Sequence, residues 1–273
     1  MAPTQTASTQ KHTTPGRPDE GRAAHAGTAP GKDGLGDADD AGRERGAQAC
    51  ARPVQLAVFD FDGTSITGNS PVLLVRYLYA HKMLPVSVML RILVWASAYK
   101  FRIPQQESWV RGLVFTAFRG KPQEEVDQFL YDFYDEKIDS RFRHDAEAAM
   151  CAHTEAGHVV VVISATFEPI VVRAMDFHSF DLQISTRMHV DATGAYTCEV
   201  EGLPVEGEEK VCAIRRFADE AYGAGNWELA YAYGDHHSDR PLLLAASHAF
   251  AVTPDRPLKR TARSKGWEIL EWS

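Results

Sequence analysis

The sequence is short of basic charge, of paired cysteines and of long apolar runs, and each shortage removes a class of function. Its 273 residues carry 29 Lys and Arg against 37 Asp and Glu, a net charge of −8. A dedicated nucleic-acid binder needs a basic face to neutralise phosphates, so no nucleic-acid partner is expected. Four cysteines (Cys50, Cys151, Cys198, Cys212) are widely spread and form no CxxC pair. That spacing excludes an ordinary zinc ribbon or a redox dithiol and fits reduced thiols, hence a cytoplasmic protein. The most membrane-like stretch, Met83–Tyr99, has seventeen residues with Pro85 and Arg91 inside it. It falls short of the roughly 20 apolar residues that a span requires. No GxSxG elbow is present, which disfavours serine-hydrolase chemistry. In the first fifty residues, apart from alanines and Cys50, only Met1 and Leu35 are apolar, and no secretory signal is read there. Residues 1–52 are therefore expected to be a disordered extension, because they bury too little to offset their ordering entropy.

With 44% hydrophobic residues the chain can bury a sizeable core. Order is expected to begin at Val54. Val54–Phe59 (VQLAVF), Val159–Ile163 (VVVVI), Leu229–Tyr233 (LAYAY) and Ala249–Val252 (AFAV) are short, mostly apolar runs. Helical spacing lies between them, as at His144–Gly157. This alternation predicts an α/β domain: a Rossmann-like parallel sheet, buried on both faces by helices. Leu182–Val190 and Ala195–Val200 flank the turn signal Asp191-Ala192-Thr193-Gly194 and are expected to pair as a hairpin. About a hundred residues separate the first two strands. Helix-like patterns at 71–81, 86–99, 106–119 and 123–135 exceed what one crossover needs. They predict a helical cap over 68–138, inserted after the first strand into a core formed by 53–67 and 139–273.

Three of the four runs end in residues able to do chemistry. Parallel α/β sheets bind ligands at the carboxyl ends of their strands, so Asp60, Asp62, Ser164 and Asp235 are expected at one crevice. In Asp60-Phe61-Asp62-Gly63-Thr64 two carboxylates can straddle a bound group, Gly63 permits a tight turn, and Thr64 offers a hydroxyl and an N–H to an anion. The EF-hand pattern fails here, since later oxygen ligands and a closing Glu are missing. In Gly234-Asp235-His236-His237-Ser238-Asp239, one helical turn brings both acids to one site, with Asp235 as a plausible N-cap. The two histidines read as surface or supporting residues, and the oxygen-rich surroundings favour magnesium over zinc. Ser164 can bond a phosphoryl oxygen but also suits a helix cap. Lys210, on a helix-like run, reads by itself as an ordinary solvated lysine.

Taken together and in order, DFDGT, Ser164, Lys210 and GDHHSD resemble the haloacid dehalogenase superfamily of phosphohydrolases, over about residues 54–272. The insert after the first motif, the hairpin before Lys210 and the Gly266-Trp267 ending are similar to the subfamily IB, phosphoserine-phosphatase-like branch. The resemblance implies a phosphomonoester hydrolase working through an aspartyl-phosphate. Asp60 would be the nucleophile and Asp62 the general acid and base. Thr64, Ser164 and Lys210 would bind the phosphoryl group, helped by N–H groups near Phe61 and Ala165. Mg²⁺ would be held by Asp60, the Asp62 carbonyl and Asp235. Asp239 would support Lys210 or a metal-bound water.

Some residues depart from that pattern. His236 replaces a small polar residue, Cys198 a frequent glycine, and Ser65–Arg102 holds no acid to meet a substrate ammonium, so free phosphoserine is not expected as substrate. A small phosphorylated metabolite and a phospholipid head group both stay open. In the second case the basic residues Arg76, His81, Lys82, Arg91, Lys100 and Arg102 among apolar neighbours would make peripheral membrane contact through the cap. Phosphoryl transfer to an acceptor other than water and a non-catalytic phosphate-binding module are the remaining alternatives. The intact acids argue against the module, and a dehalogenase would leave Asp62 without a role.

Overall fold

The computed structural model describes residues 52–84 and 114–273. The expected disorder of 1–52, the helix at 86–99 and most of that at 106–119 lie outside these residues, as does nearly all of the membrane-like stretch. No helix among the described residues is long and apolar enough to cross a membrane.

The strands are β1 (Val54–Asp60), β2 (Val159–Phe167), β3 (Leu182–Thr186), β4 (Met188–Val190), β5 (Tyr196–Val200), β6 (Trp227–Gly234), β7 (His248–Val252) and β8 (Glu268–Leu270). Six of them form one parallel sheet in the order β3-β2-β1-β6-β7-β8. Its centre is apolar on consecutive residues because both faces are covered. Leu56 to Phe59 and Val160 to Ile163 have no exposed surface. One face packs Ala57, Phe59, Val160 and Val162 beneath α3 (His144–Glu155) and α4 (Glu168–Met175). The other packs Leu56, Val58, Val161 and Ile163 beneath α5 (Glu208–Tyr222), α6 (Arg240–Ala245) and α7 (Arg256–Lys265).

The segment between β1 and β2 joins the first of these layers. α1 (Ser70–Ala80) starts at Asn69, whose side chain accepts from the Val72 N–H, with Pro71 in the first turn. This is a standard way to satisfy an orphan donor. α2 (Gln123–Phe133) runs on through a wide turn at 134–138. Tyr77 packs on Phe129 and Phe133, and Phe115 and Phe118 pack on Phe167, tying α1, α2 and helical residues 114–118 to the end of β2.

One expectation about strands needs correction, and one strand was not foreseen. Leu182–Val190 is not one arm of a hairpin. Its first half, β3, joins the main sheet beside β2, and only β4 pairs with β5, antiparallel. The break falls at Arg187, whose guanidinium turns away to Glu168. The turn at 191–194 is as expected, with Asp191 accepting from the N–H groups of Thr193 and Ala195. β8, in the Gly-Trp ending, is a sheet strand that periodicity did not reveal. The chain runs outward from β1 to β3, then returns to β6 and continues to β8. The order therefore reverses between β1 and β6, and a crevice opens at their carboxyl ends.

Candidate active site

β1 ends in a tight loop. The Ser65 hydroxyl and N–H both donate to the Asp60 carbonyl, at 2.6 and 3.2 Å. Gly63 has φ +80°, and a Cβ placed there would lie 2.2 Å from Asp235 Oδ2. Only a residue without a side chain lets the two loops approach so closely. Buried Thr64 donates to Asp235 Oδ1 at 3.2 Å, joining the loops after β1 and β6. Arg143 braces the loop from outside, donating to the Gly63 carbonyl and to that of Trp272.

Lys210 sits in the first turn of α5 and is not solvated, contrary to the reading from its helical run alone. It is 4% exposed, and its Nζ lies 2.5 Å from Asp60 Oδ1 and 2.6 Å from Asp239 Oδ1. Burial works against its charge, but the two carboxylates more than offset this and hold the ammonium above the usual lysine range. Asp239 is held at both oxygens, since its Oδ2 also accepts from the His236 N–H. The expected N-cap role of Asp235 is overturned. His236 caps the short turn at 237–239, and Asp239 closes a reciprocal capping box with it. Asp235 is thereby left facing the crevice.

Carboxylate oxygens of Asp60, Asp235 and Asp239 lie within 4.8 Å of one another. Burial, then Asp239, pushes Asp60 well above the ordinary range for an aspartate, with Lys210 opposing. Burial and Asp239 likewise raise Asp235 to about 6, with Thr64 opposing. Three acids thus share one cation, a cluster of unbalanced negative charge in a nearly dry crevice. All-oxygen donors and excess negative charge suit a hard divalent cation such as Mg²⁺. Of the three, Asp60 and Asp235 each have one carboxylate oxygen without a protein donor, whereas each oxygen of Asp239 accepts from one.

Asp62 faces elsewhere. Its Oδ1 accepts from the Ser70 N–H at 2.5 Å and its Oδ2 from the Ser70 hydroxyl at 3.0 Å. Burial raises its pKa to about 6, and the two bonds from Ser70 hold it down. Ser164, on β2 one residue beyond the partner of Asp60, is buried, and its Oγ accepts from the Thr166 N–H. Asp60, Asp62, Thr64, Ser164, Lys210, Asp235 and Asp239 therefore lie at or beside the carboxyl ends of β1, β2 and β6. The sequence reading missed Ser70, Thr166 and Arg143. Ser70 is legible only as the start of a helix, and the other two carry no local signal.

The comparisons agree with this geometry. A model of the haloacid dehalogenase-like hydrolases matches residues 57–244. The chain is 27% identical over 235 residues to "Inhibition of morphological differentiation protein" of Streptomyces azureus, covering 84% of this chain and 82% of that one. It is 27% identical over 223 residues to a histidinol-phosphatase of Neisseria meningitidis, covering 80% and 98%. A solved protein of unknown function from Bordetella pertussis superposes with TM-score 0.72 at 22% identity, covering 80% of this chain and 99% of that one. A substrate-bound phosphoserine phosphatase superposes with TM-score 0.55 at 20% identity, covering 81% and 94%. The solved structures share the fold, while the family model spans the crevice from β1 to the helix after Asp239. The chain is an enzyme of the haloacid dehalogenase-like hydrolase family.

Proposed function

We propose that the protein is a Mg²⁺-dependent phosphomonoester hydrolase acting on a small phosphorylated metabolite through an aspartyl-phosphate on Asp60. The observation that carries this reading is the buried Lys210 clamp, which holds Asp60 and Asp239 beside Asp235 at the point where the strand order reverses. A lysine fixed there can meet the charge that spreads over the transferring oxygens.

In the first step Asp60 attacks phosphorus, the bond to the leaving oxygen breaks, and Asp62 gives that oxygen its proton. In the second, water attacks the aspartyl-phosphate, Asp62 takes a proton from it, and phosphate leaves with Asp60 restored. Ser164, the third proton of Lys210 and the backbone N–H of Thr64, whose hydroxyl is given to Asp235, would bond the phosphoryl oxygens throughout. Asp60, Asp235 and the Asp62 carbonyl would hold Mg²⁺, whose charge offsets the repulsion between carboxylate and phosphate. Residues 68–138 would act as the cap that selects the substrate, over a core of 53–67 and 139–273. Its first helix lacks an acid to meet a substrate ammonium, which argues against free phosphoserine; the histidinol-phosphatase relative keeps histidinol phosphate in the test, where its own ammonium would need a partner from elsewhere. The free thiols of Cys151, Cys198 and Cys212 support a cytoplasmic setting.

The test is phosphate release from a panel containing histidinol phosphate, phosphoserine, glycerol 2-phosphate, p-nitrophenyl phosphate and a lysophospholipid phosphate. It would be run with Mg²⁺ and with EDTA, for wild type and Asp60→Asn. The expected result is Mg²⁺-dependent release that Asp60→Asn lowers by at least about 10³-fold. Release that survives Asp60→Asn, or none from any ester, would overturn the proposal.

A further inference from the structure

Asp62 and Ser164 are joined by an unbroken chain of polar groups that crosses from α1 to β2. Ser70 bonds Asp62 through both its N–H and its hydroxyl, the Ser70 and Thr166 hydroxyls lie 2.8 Å apart, and the Thr166 N–H donates to Ser164 Oγ at 3.0 Å. Ser70, Thr166 and Ser164 are each 3% exposed or less. Hydroxyls at that depth cost stability unless paired, and here each is paired with the next. Thr166 reaches this position because the β2–β3 ladder slips. Ser164 pairs with Ser185 but Phe167 with Thr186, so Ala165 and Thr166 bulge out of register. Bulges of this kind re-aim side chains beside active sites.

Proton counting sets the direction of the chain. An ionised Asp62 only accepts, so the Ser70 hydroxyl donates to it. Ser70 has then spent its one proton and must accept from Thr166. At the other end Ser164 accepts from a backbone N–H, which leaves its own proton to point at a ligand. A single bulge therefore orients both the proton carrier and a phosphoryl donor.

We infer that Ser70 and Thr166 are positioning residues, which fix the Asp62 carboxyl where the leaving oxygen must be protonated. The inference rests on the phosphomonoesterase reading above. The competing explanation is purely architectural: Asp62 serves only to satisfy the start of α1. The two differ in how the loss depends on the leaving group. An alkoxide needs its proton as the bond breaks, whereas nitrophenolate leaves readily without one.

The experiment compares kcat/KM for glycerol 2-phosphate and p-nitrophenyl phosphate, with Mg²⁺, in wild type, Ser70→Ala, Thr166→Val and Thr166→Ser. Thermal midpoints are recorded for each. Thr166→Val is expected to lose about tenfold on the alkyl ester and no more than about twofold on the aryl ester, with Ser70→Ala showing the larger split. Thr166→Ser restores the hydroxyl and is expected to return the alkyl rate to within about threefold of wild type. Equal losses on both esters, or a Thr166→Ser variant no better than Thr166→Val, would overturn the inference while the phosphatase reading stands. If glycerol 2-phosphate is not turned over, the best alkyl ester of the panel takes its place; a wild type that hydrolyses no ester of the panel would remove the reading, and the inference with it.

Discussion

Two buried polar layers lie close together near the ends of β1 and β6, Phe59 next to Asp60 and Tyr233 two residues before Asp235, and they handle charge in opposite ways. At the strand ends Asp60, Asp235, Asp239 and Lys210 are crowded into unbalanced charge. One step back, Phe59 stacks on Tyr233 with ring centres 4.2 Å apart, and Tyr233 stacks on Phe250. The Tyr233 hydroxyl lies 2.9 Å from His153 Nε2, and His153 Nδ1 lies 2.8 Å from His158 Nδ1. Burial lowers His153 to about 4, with His158 adding to it, and burial raises Tyr233. Burial thus holds the His153 imidazole and the Tyr233 hydroxyl in their neutral forms, joined by a hydrogen bond. The lesson is that this fold does not tolerate charge in general. It concentrates charge where a phosphate and a cation would relieve it, and on the opposite face of the sheet it buries groups held neutral.

The largest expected effect breaks the first layer. Lys210→Met removes the single cation among three carboxylates. Activity should fall by about 10²–10³-fold, since a preorganised charge is lost where the transition state needs it. Removing one partner of a buried pair typically costs about 3–5 kcal/mol, so the urea midpoint at pH 7.5 should fall as well. It should recover in part at pH 5.5, where the raised Asp60 and Asp235 carboxyls neutralise themselves. An unchanged midpoint at pH 7.5 would mean that the acids were never in conflict and would undo the contrast between the layers.

The charged layer was legible in outline because its residues sit at the ends of apolar runs, where a parallel sheet must place them. Asp60, Asp62, Ser164 and Asp235 needed only the strand pattern. Lys210 did not follow from its own surroundings. It is buried with Asp60 and Asp239, which reach it from distant parts of the chain, and only the order of motifs pointed to it. The split between β3 and β4 was hidden because 182–190 is continuously strand-like, and the break depends on Arg187 reaching Glu168 from another element. The Ser70–Thr166 contact joins residues 96 positions apart through a bulge, and no local pattern encodes that. The neutral layer went unread for a similar reason. His153 looks like any histidine near a helix end until Tyr233 is laid across it.

A smaller change sharpens the boundary of the charged layer. Gly63→Ala adds a Cβ that meets the Asp235 carboxylate and forces an L side chain to φ +80°. The strain should cost about 1–3 kcal/mol. Relief requires Asp235 to back away, so the Mg²⁺ concentration for half-maximal activity should rise more than KM for the ester does. Titrating Mg²⁺ at saturating substrate measures this. A variant with wild-type Mg²⁺ dependence would show that the close approach of the two loops has no bearing on the metal.

The smallest effect belongs to the neutral layer and tests whether neutrality is what holds it. His153 titrates near 6.5 when unfolded and near 4 when folded, so the unfolded chain binds the proton more readily. Its contribution is therefore whole above pH 6.5, declines as pH falls from 6.5 to 4, and changes no further below that. The full loss is roughly 2–3 kcal/mol for a shift of this size. His153→Gln keeps a donor and an acceptor beside Tyr233 but has no proton to gain. Its stability should be lower than wild type at pH 7.5 and should fall less between pH 6.5 and 4. Urea midpoints at four or five pH values across that window give both slopes. Parallel slopes would mean that His153 already carries its proton in the folded protein. The second layer would then be charged like the first.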